Sequence, residues 1–163
     1  MKQICEDIKA HTDEVIAEWE TLVREQPWYS LPRDDRVANL PEVVVGLVEA
    51  SLCDPVDRES HRQKAWAAAE HGWRRREQGI SEMLIFTELH LLRHAIWRYL
   101  MRSVGPTDRA VDAINRIDTA MTVATNAALW GYHREEIEAL GKWPESLEAL
   151  VEESPFLKGR GRG

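Results

Sequence analysis

Cysteine is scarce in this chain: its 163 residues include only Cys5 and Cys53. Two cysteines are too few for the set of disulfides that holds small secreted domains together. We therefore expect both thiols to be buried as small apolar side chains rather than to act as reactive groups. The same scarcity favours a reducing, cytoplasmic location.

Long hydrophobic runs are also missing. No apolar stretch approaches the roughly 18 residues of a membrane-spanning helix. The first residues turn acidic at Glu6 and Asp7, so we expect neither a secretory signal nor a membrane partner. Hydrophobic residues still make up 44% of the chain, which is enough for one folded domain with a real core.

Positive charge is in deficit. The chain carries 21 Lys and Arg against 28 Asp and Glu, a net charge of -7. Binding to a phosphate backbone requires a clustered cationic surface, so we expect protein partners and no nucleic-acid partner. The chain also lacks a Gly-x-Gly-x-x-Gly or Walker loop, and no Ser or Cys nucleophile lies beside a plausible base. We therefore predict no enzymatic activity and assign no catalytic residue.

Helical periodicity is what the sequence does contain. Apolar residues recur at intervals of three and four, and prolines and glycines mark the segment ends. No alternating strand pattern occurs, so the predicted fold class is all-α, a bundle of five or six helices with one long C-terminal helix. The predicted helices cover about residues 3–25, 40–52, 58–78, 81–103 and 108–140, with a short helix at 145–153.

The predicted helix over 81–103 is apolar on two faces. Its ordinary core stripe consists of Ile85, Leu89, Leu92, Ile96 and Tyr99, and its second stripe consists of Met83, Phe86, Trp97 and Met101. Such a helix is either central in the domain or shared with a partner. Glu88 lies on the edge of the core stripe and needs a partner, because burying a bare carboxylate costs several kcal/mol. We predict a buried polar network drawn from His71, Arg75, Glu88, Arg93 and Tyr99.

The predicted helix over 108–140 has an apolar repeat of 3.5 residues. At roughly 34 residues it would be about 50 Å long, more than a compact domain of this size needs. We therefore expect part of it to pack on a second chain, with a homodimer seam formed by Ile114, Ile117, Met121, Ala124 and Ala128. The alternative is a long core helix in a monomeric bundle.

Six histidines raise the question of a cofactor. His90 and His94 are four residues apart, which is metal-ligand spacing, but their helix face is polar and further ligands would have to come from elsewhere. His71 could ligate haem or could hydrogen-bond Glu88, and a satisfied core histidine is the commoner case. We expect no cofactor; a haem- or metal-binding globin-like sensor is the alternative, which a visible absorption spectrum would test.

A longer pattern carries a family resemblance. The segment HGWRRREQGIS from His71 is followed by Glu88 and then by LRHAI from Leu92, while Glu18-Trp19 and the helix start at Asn39-Leu40-Pro41-Glu42 precede it. In order and spacing these elements resemble the N-terminal sensor domain of RsbR-type proteins, the RsbT co-antagonists of the bacterial stressosome. The same module occurs in front of some bacterial histidine kinases. The likeness covers about residues 3–140.

The resemblance implies a globin-like helical domain that lacks haem, forms dimers through its long helices and has no enzymatic activity. Residues 1–140 would be the sensor domain, and 141–163 a short helix and flexible tail that is too short for an output domain. The implied partners are a second copy and a kinase or sigma-factor regulator. A signal would alter the packing around the predicted network, and the last long helix would carry the change to the dimer seam.

Overall fold

The computed structural model describes residues 1–53 and 58–153, and these residues are helical with no strand. The all-α prediction is therefore confirmed for the described chain, although the helices are more numerous and shorter than the five or six predicted. The predicted flexible tail at 158–163 lies outside the described residues. The helices are α1 (Lys2–Ala10), α2 (Thr12–Leu22), α3 (Arg33–Val37), α4 (Leu40–Leu52), α5 (Arg58–Glu77), α6 (Glu82–Ser103), α7 (Asp108–Tyr132), α8 (Arg134–Ala139) and α9 (Glu145–Glu152), with a 3-10 turn at Pro27–Ser30.

The first predicted helix is divided in two at His11. The hydroxyl of Thr12 donates to the carbonyls of Ile8 and Lys9, and the His11 ring lies 2.8 Å from the carbonyl of Asp7. Polar side chains that bond to nearby carbonyls compete with the regular helical ladder. The chain therefore turns between α1 and α2 without a proline or a glycine.

The long C-terminal helix also ends earlier than predicted. α7 stops at Tyr132, because His133 leaves the helical conformation and the Arg76 guanidinium donates to the Tyr132 carbonyl at 2.9 Å. A cationic side chain from another helix thus satisfies a carbonyl at this terminus. The 25 residues of α7 span about 38 Å rather than 50 Å. The chain then returns through α9, which buries Leu147 and Val151 against α5 and α7.

α5 and α7 form the closest helix pair. A Cβ atom added at Gly72 of α5 would overlap the backbone carbonyl of Ala128, and one added at Gly131 of α7 would overlap that of Ala69. Glycine at these two positions therefore permits the close approach of the α5 and α7 backbones. Around this pair, α4 packs on both α5 and α7, and α6 packs on α2 and α7.

The two cysteines contradict the prediction of separate buried thiols. Cys5 of α1 and Cys53, which follows α4, form a disulfide with a Cα–Cα distance of 5.9 Å. The pairing depends on α1 lying along α4, a contact between segments 48 residues apart that periodicity does not reveal. Among the described helices, none combines the length and apolar character needed to cross a membrane.

The α5–α7 contact generates the first testable prediction. Gly131→Ala should destabilise the fold by about 3 kcal/mol, because the added methyl group has no space to relax into and overpacking carries a cost of this order. Chemical denaturation monitored by circular dichroism measures the change in unfolding free energy.

Gly46→Ala in α4 is the matched control for this variant. The nearest atoms to a Cβ at Gly46 are Cγ and Cβ of Lys64 at 3.0 and 3.3 Å, so a shift of a few tenths of an ångström is enough, whereas a Cβ at Gly131 would overlap a backbone carbonyl. Alanine also favours a helix over glycine, so this control should cost far less. Equal losses in the two variants would show that the α5–α7 approach is not sterically limited.

Candidate functional site

Glu88 is the centre of a polar network inside the protein. The core stripe of α6 carries it inward, so that only 1% of the residue is exposed. Both of its carboxylate oxygens are 3.0 Å from Nε of Arg75, Oε1 also accepts from Nη2 of Arg75, and Oε2 lies 3.0 Å from Nε2 of His71. This carboxylate therefore has its acceptor sites occupied by two residues of α5.

Arg75 uses every N–H group that its guanidinium offers. Besides the bonds to Glu88, Nη2 donates to the carbonyl of Arg36, while Nη1 donates to the carbonyl of Asp35 at 2.8 Å and to the side chain of Gln78 at 2.6 Å. The residue is fully buried, with the Trp28 ring 5.9 Å from the guanidinium carbon. Such complete pairing is the condition under which a buried cation can be tolerated.

The end of α3 supplies two of these acceptors. The carbonyls of Asp35 and Arg36 belong to the last turn of a five-residue helix, where backbone oxygens have no partner within the helix. The chain then reverses at Ala38, whose φ of 47° is in the left-handed region that non-glycine residues seldom occupy. Arg75 thus caps α3 and joins it to α5 and α6.

His71 closes the network on its other side. Nδ1 is 3.0 Å from Oδ1 of Asn39, whose amide nitrogen is engaged as a donor to the carbonyl of Ala67 at 2.8 Å. Oδ1 of Asn39 therefore accepts, and the Glu88 carboxylate also accepts. Both ring nitrogens of His71 consequently face acceptor oxygens in this arrangement.

His71 and Arg75 determine the charge state of Glu88. Burial raises the pKa of a carboxyl group, but here the attraction and hydrogen bonding from His71 and Arg75 outweigh it and leave the pKa of Glu88 below its usual value. The network therefore consists of an ionised carboxylate between two donors. It is sealed from solvent, since His71, Arg75 and Glu88 are all buried.

Two of the predicted network residues lie elsewhere. Tyr99 donates to the Asp7 carboxylate at 2.9 Å and so joins α6 to α1, and burial together with that hydrogen bond raises the pKa of Tyr99 well above its usual value. Arg93 lies on the outer side of α6, where its guanidinium is 2.7 Å from Nδ1 of His90. The helical phase of α6 correctly predicted that Glu88 faces the core. It did not predict that Tyr99 and Arg93 bond to residues other than Glu88.

His71 does not offer the free ring nitrogen that haem would need, and among the described residues His90 and His94 belong to no group of three or more ligand-type side chains. Both nitrogens of His71 are engaged by Asn39 and Glu88, so this imidazole does not fit an axial haem ligand without breaking the network. His90 and His94 approach within 3.1 Å through their Nε2 atoms on the surface of α6. Partial burial, together with the nearby charges of His90 and Arg93, lowers the pKa of His94.

The predicted dimer seam on α7 packs inside the chain. Ile117, Met121, Ala124 and Ala128 are buried, and Ile114 is half-buried at the edge of the core. α4 and α5 cover this stripe. In this structure the 3.5-residue repeat therefore reports an intramolecular contact, and a seam between two chains at these positions stays a prediction.

Two residues that precede α4, Asn39 and Arg36, support the network but were not predicted from the sequence. Asn39 orients His71, and Arg36 lies behind the network, where it donates to the carbonyls of Tyr29 and Leu31 and to Glu20 at 3.0 Å. The only available signal was composition, since RDDR at residues 33–36 reads as a solvated turn. Nothing in that pattern indicates that its backbone carbonyls face a buried arginine.

The network generates the second prediction. Glu88→Gln keeps the shape of the side chain but leaves Arg75 as an uncompensated buried cation, so we expect a loss of about 3 to 5 kcal/mol in unfolding free energy. Because the folded pKa of Glu88 is lowered, its contribution is fully present above the ordinary carboxyl pKa of about 4.3 and is lost as the pH falls through the folded value. Urea denaturation at neutral pH and at low pH should show the wild-type advantage shrinking with acid.

Glu70→Gln is the matched control, since Glu70 pairs with Arg74 on the exposed face of α5. An exposed pair of this kind contributes about 0.5 kcal/mol or less. A Glu88→Gln loss as small as that of Glu70→Gln would contradict the central role of the network.

Comparison with known proteins identifies the family. A search of curated proteins and a search of solved structures each return no match for this chain. The family model for the RsbT co-antagonist protein rsbRD N-terminal domain matches residues 12–143, from α2 to the turn before α9. This range contains the entire network and most of the chain. The resemblance inferred from the HGWRRREQGIS segment is thereby confirmed, and the chain belongs to the RsbT co-antagonist protein rsbRD N-terminal domain family.

Proposed function

We propose that this protein is a non-catalytic, cytoplasmic signal-sensing domain of the stressosome or histidine-kinase type, and that it acts as a homodimer with a globin-like helix arrangement. The observation that carries this proposal is the family match over residues 12–143. The family's name describes RsbT co-antagonists, so we propose a signalling protein as the output partner, such as a kinase or a sigma-factor regulator.

The chemistry of the buried network supports a non-catalytic role. His71, Arg75 and Glu88 are the groups that could otherwise transfer protons, but all are sealed from solvent and their donors and acceptors are engaged. A general acid or base must reach a proton on the substrate. The network instead serves as a clamp that fixes α3, α5 and α6 relative to one another.

The outer face of α6 is the surface that we assign to the second copy. Met83 is 73% exposed, Phe86 44% and Met101 36%, and half-buried Trp97 lies between them. Exposed apolar side chains in one stripe are typical of an interaction site. The second apolar stripe of α6 predicted from the sequence therefore faces outward and supports a shared interface.

The order of residues along α6 favours a second copy over another partner. Two pairs of residues on this face are placed symmetrically about Leu92: Met83 and Met101 are equally distant from it, as are His90 and His94, whereas Phe86 and Trp97 have no apolar counterpart. An antiparallel, twofold pairing of two α6 helices would therefore bring Met83 against Met101 of the other copy. It would also bring Glu82 near Arg102, an attractive pairing of opposite charges. Such self-complementarity is what an isologous dimer interface requires.

α6 also provides the path from the network to this surface. The same helix presents Glu88 to the core and the Met83–Met101 stripe to solvent, and Trp97 of the stripe donates to Asp118 of α7 at 3.2 Å. A signal that changes the packing around Glu88 would shift α6 as a rigid element between two arrangements. The shift of α6 would therefore alter the interface that the two copies share.

The dimer proposal is tested by Phe86→Glu, our third prediction. Placing a carboxylate within the stripe should raise the dimer dissociation constant at least about tenfold, equivalent to 1.4 kcal/mol. Analytical ultracentrifugation over a range of concentrations measures this constant. Leu140→Glu is the control, because Leu140 is 71% exposed but lies outside α6. A monomeric wild-type protein, or equal weakening by both variants, would overturn the proposed interface.

The coupling proposal supplies the fourth prediction. Glu88→Gln should change the dimer dissociation constant by about fivefold or more, the lower end of typical coupling between sites. Glu70→Gln should leave it unchanged, since that carboxylate faces solvent on α5. The dimer dissociation constant is measured at one urea concentration at which both variants remain folded. A change in the constant then reflects coupling and not unfolding. An unchanged constant in folded Glu88→Gln would contradict transmission through α6.

A further inference from the structure

One cysteine of the disulfide lies outside the residues that the family model matches. The match begins at residue 12, so Cys5 and its helix α1 precede it, whereas Cys53 follows α4 inside it. The disulfide therefore links α1, which precedes the matched residues, to the end of α4. Neither cysteine takes part in the polar network at Glu88.

A third ligand-type side chain lies beside the two sulfurs. The Glu6 carboxylate oxygen is 3.9 Å from Sγ of Cys53, and the two sulfurs and a Glu6 oxygen all lie within 4.8 Å of one another. Among the described residues, this is the group of three or more such side chains that is close enough to hold a metal ion. Tetrahedral zinc places its ligand atoms about 3.5 to 4 Å apart. Two thiolates and a carboxylate form a donor set that favours Zn²⁺.

We propose that the reduced pair Cys5 and Cys53, together with Glu6, binds one Zn²⁺, and that a hydroperoxide converts this zinc site into the disulfide. Glu6 is 57% exposed, so water can complete the fourth coordination position from the solvent side. Metal binding requires both cysteines as thiolates and releases their protons. The disulfide in this structure is the metal-free, oxidised state of the same site.

The unequal exposure of the two sulfurs gives the oxidation an order. Cys5 is fully buried and Cys53 is half-buried, so the Cys53 thiolate attacks the peroxide oxygen, forming a sulfenic acid and an alkoxide as the O–O bond breaks. The Cys5 thiolate then attacks the Cys53 sulfur, and hydroxide leaves. Two protons from solvent convert the alkoxide and hydroxide to an alcohol and water. The two sulfurs lose two electrons in total, the peroxide gains them, and Zn²⁺ departs once its thiolate ligands are gone.

Zinc content and thiol content together test the site. The full chain is reduced with a phosphine, loaded with zinc sulfate and gel-filtered, and elemental analysis should then find one zinc per chain. Hydrogen peroxide should release that zinc and remove two free thiols per chain, counted under denaturing conditions. Absence of bound zinc in the reduced protein would overturn the metal site. Zinc retained after both thiols are lost would overturn the exchange.

Variants assign the individual ligands. Cys53→Ser should abolish zinc binding, and zinc that survives this substitution, for example at His90 and His94, would refute the assignment. Glu6→Gln should weaken zinc affinity at least about tenfold in competition with a chromogenic chelator, whereas Glu25→Gln, which changes an exposed carboxylate in the turn after α2, should not. Equal affinities in these two variants would remove Glu6 from the site. Circular dichroism confirms folding, and none of these readouts depends on dimerisation.

Discussion

The ion pair between Arg75 and Glu88 is the interaction on which the arrangement of this protein depends. A carboxylate on the core stripe of α6 is tolerated only if donors surround it, and a buried guanidinium only if all its N–H groups are engaged. Meeting both conditions requires carbonyls from the end of α3, the side chain of His71 on α5 and the support of Asn39 before α4. One charge pair therefore orients four segments, so a change in the position of one segment affects the others.

Close helix packing complements this polar constraint. Gly72 and Gly131 let the backbones of α5 and α7 touch, which leaves little freedom for sliding between them. α6 is different, because its inner face is anchored by Glu88 while its outer face presents apolar side chains to solvent. It is therefore the element that connects the interior of the domain to its proposed partner. The family assignment to a signalling domain is consistent with the proposal that α6 couples the network to this surface.

Several features were predictable because they follow from local chemistry. The start of α7 at Thr107, whose hydroxyl accepts from the Ala110 amide, and the end of α5 before Gly79, with φ of 71°, were both indicated by residue type. The contact of His71 with Glu88 followed from helical phase. The terminus of α7 was not predictable, because Arg76 from another helix satisfies it. The sequence also did not determine what packs against the apolar stripe of α7, because a contact within the chain and a contact between two chains require the same 3.5-residue repeat.

The sequence by itself determined the all-α class, most helix boundaries, the family, and the presence of a buried carboxylate in need of partners. These depend on neighbours within a few residues or on motif order, and both are visible in one dimension. Tertiary structure decided which partners Glu88 received, which stripe of α6 remained exposed, and that Cys5 meets Cys53. Each of these depends on how segments tens of residues apart pack together. Periodicity specifies that a helix has an apolar face, but only packing specifies what covers it.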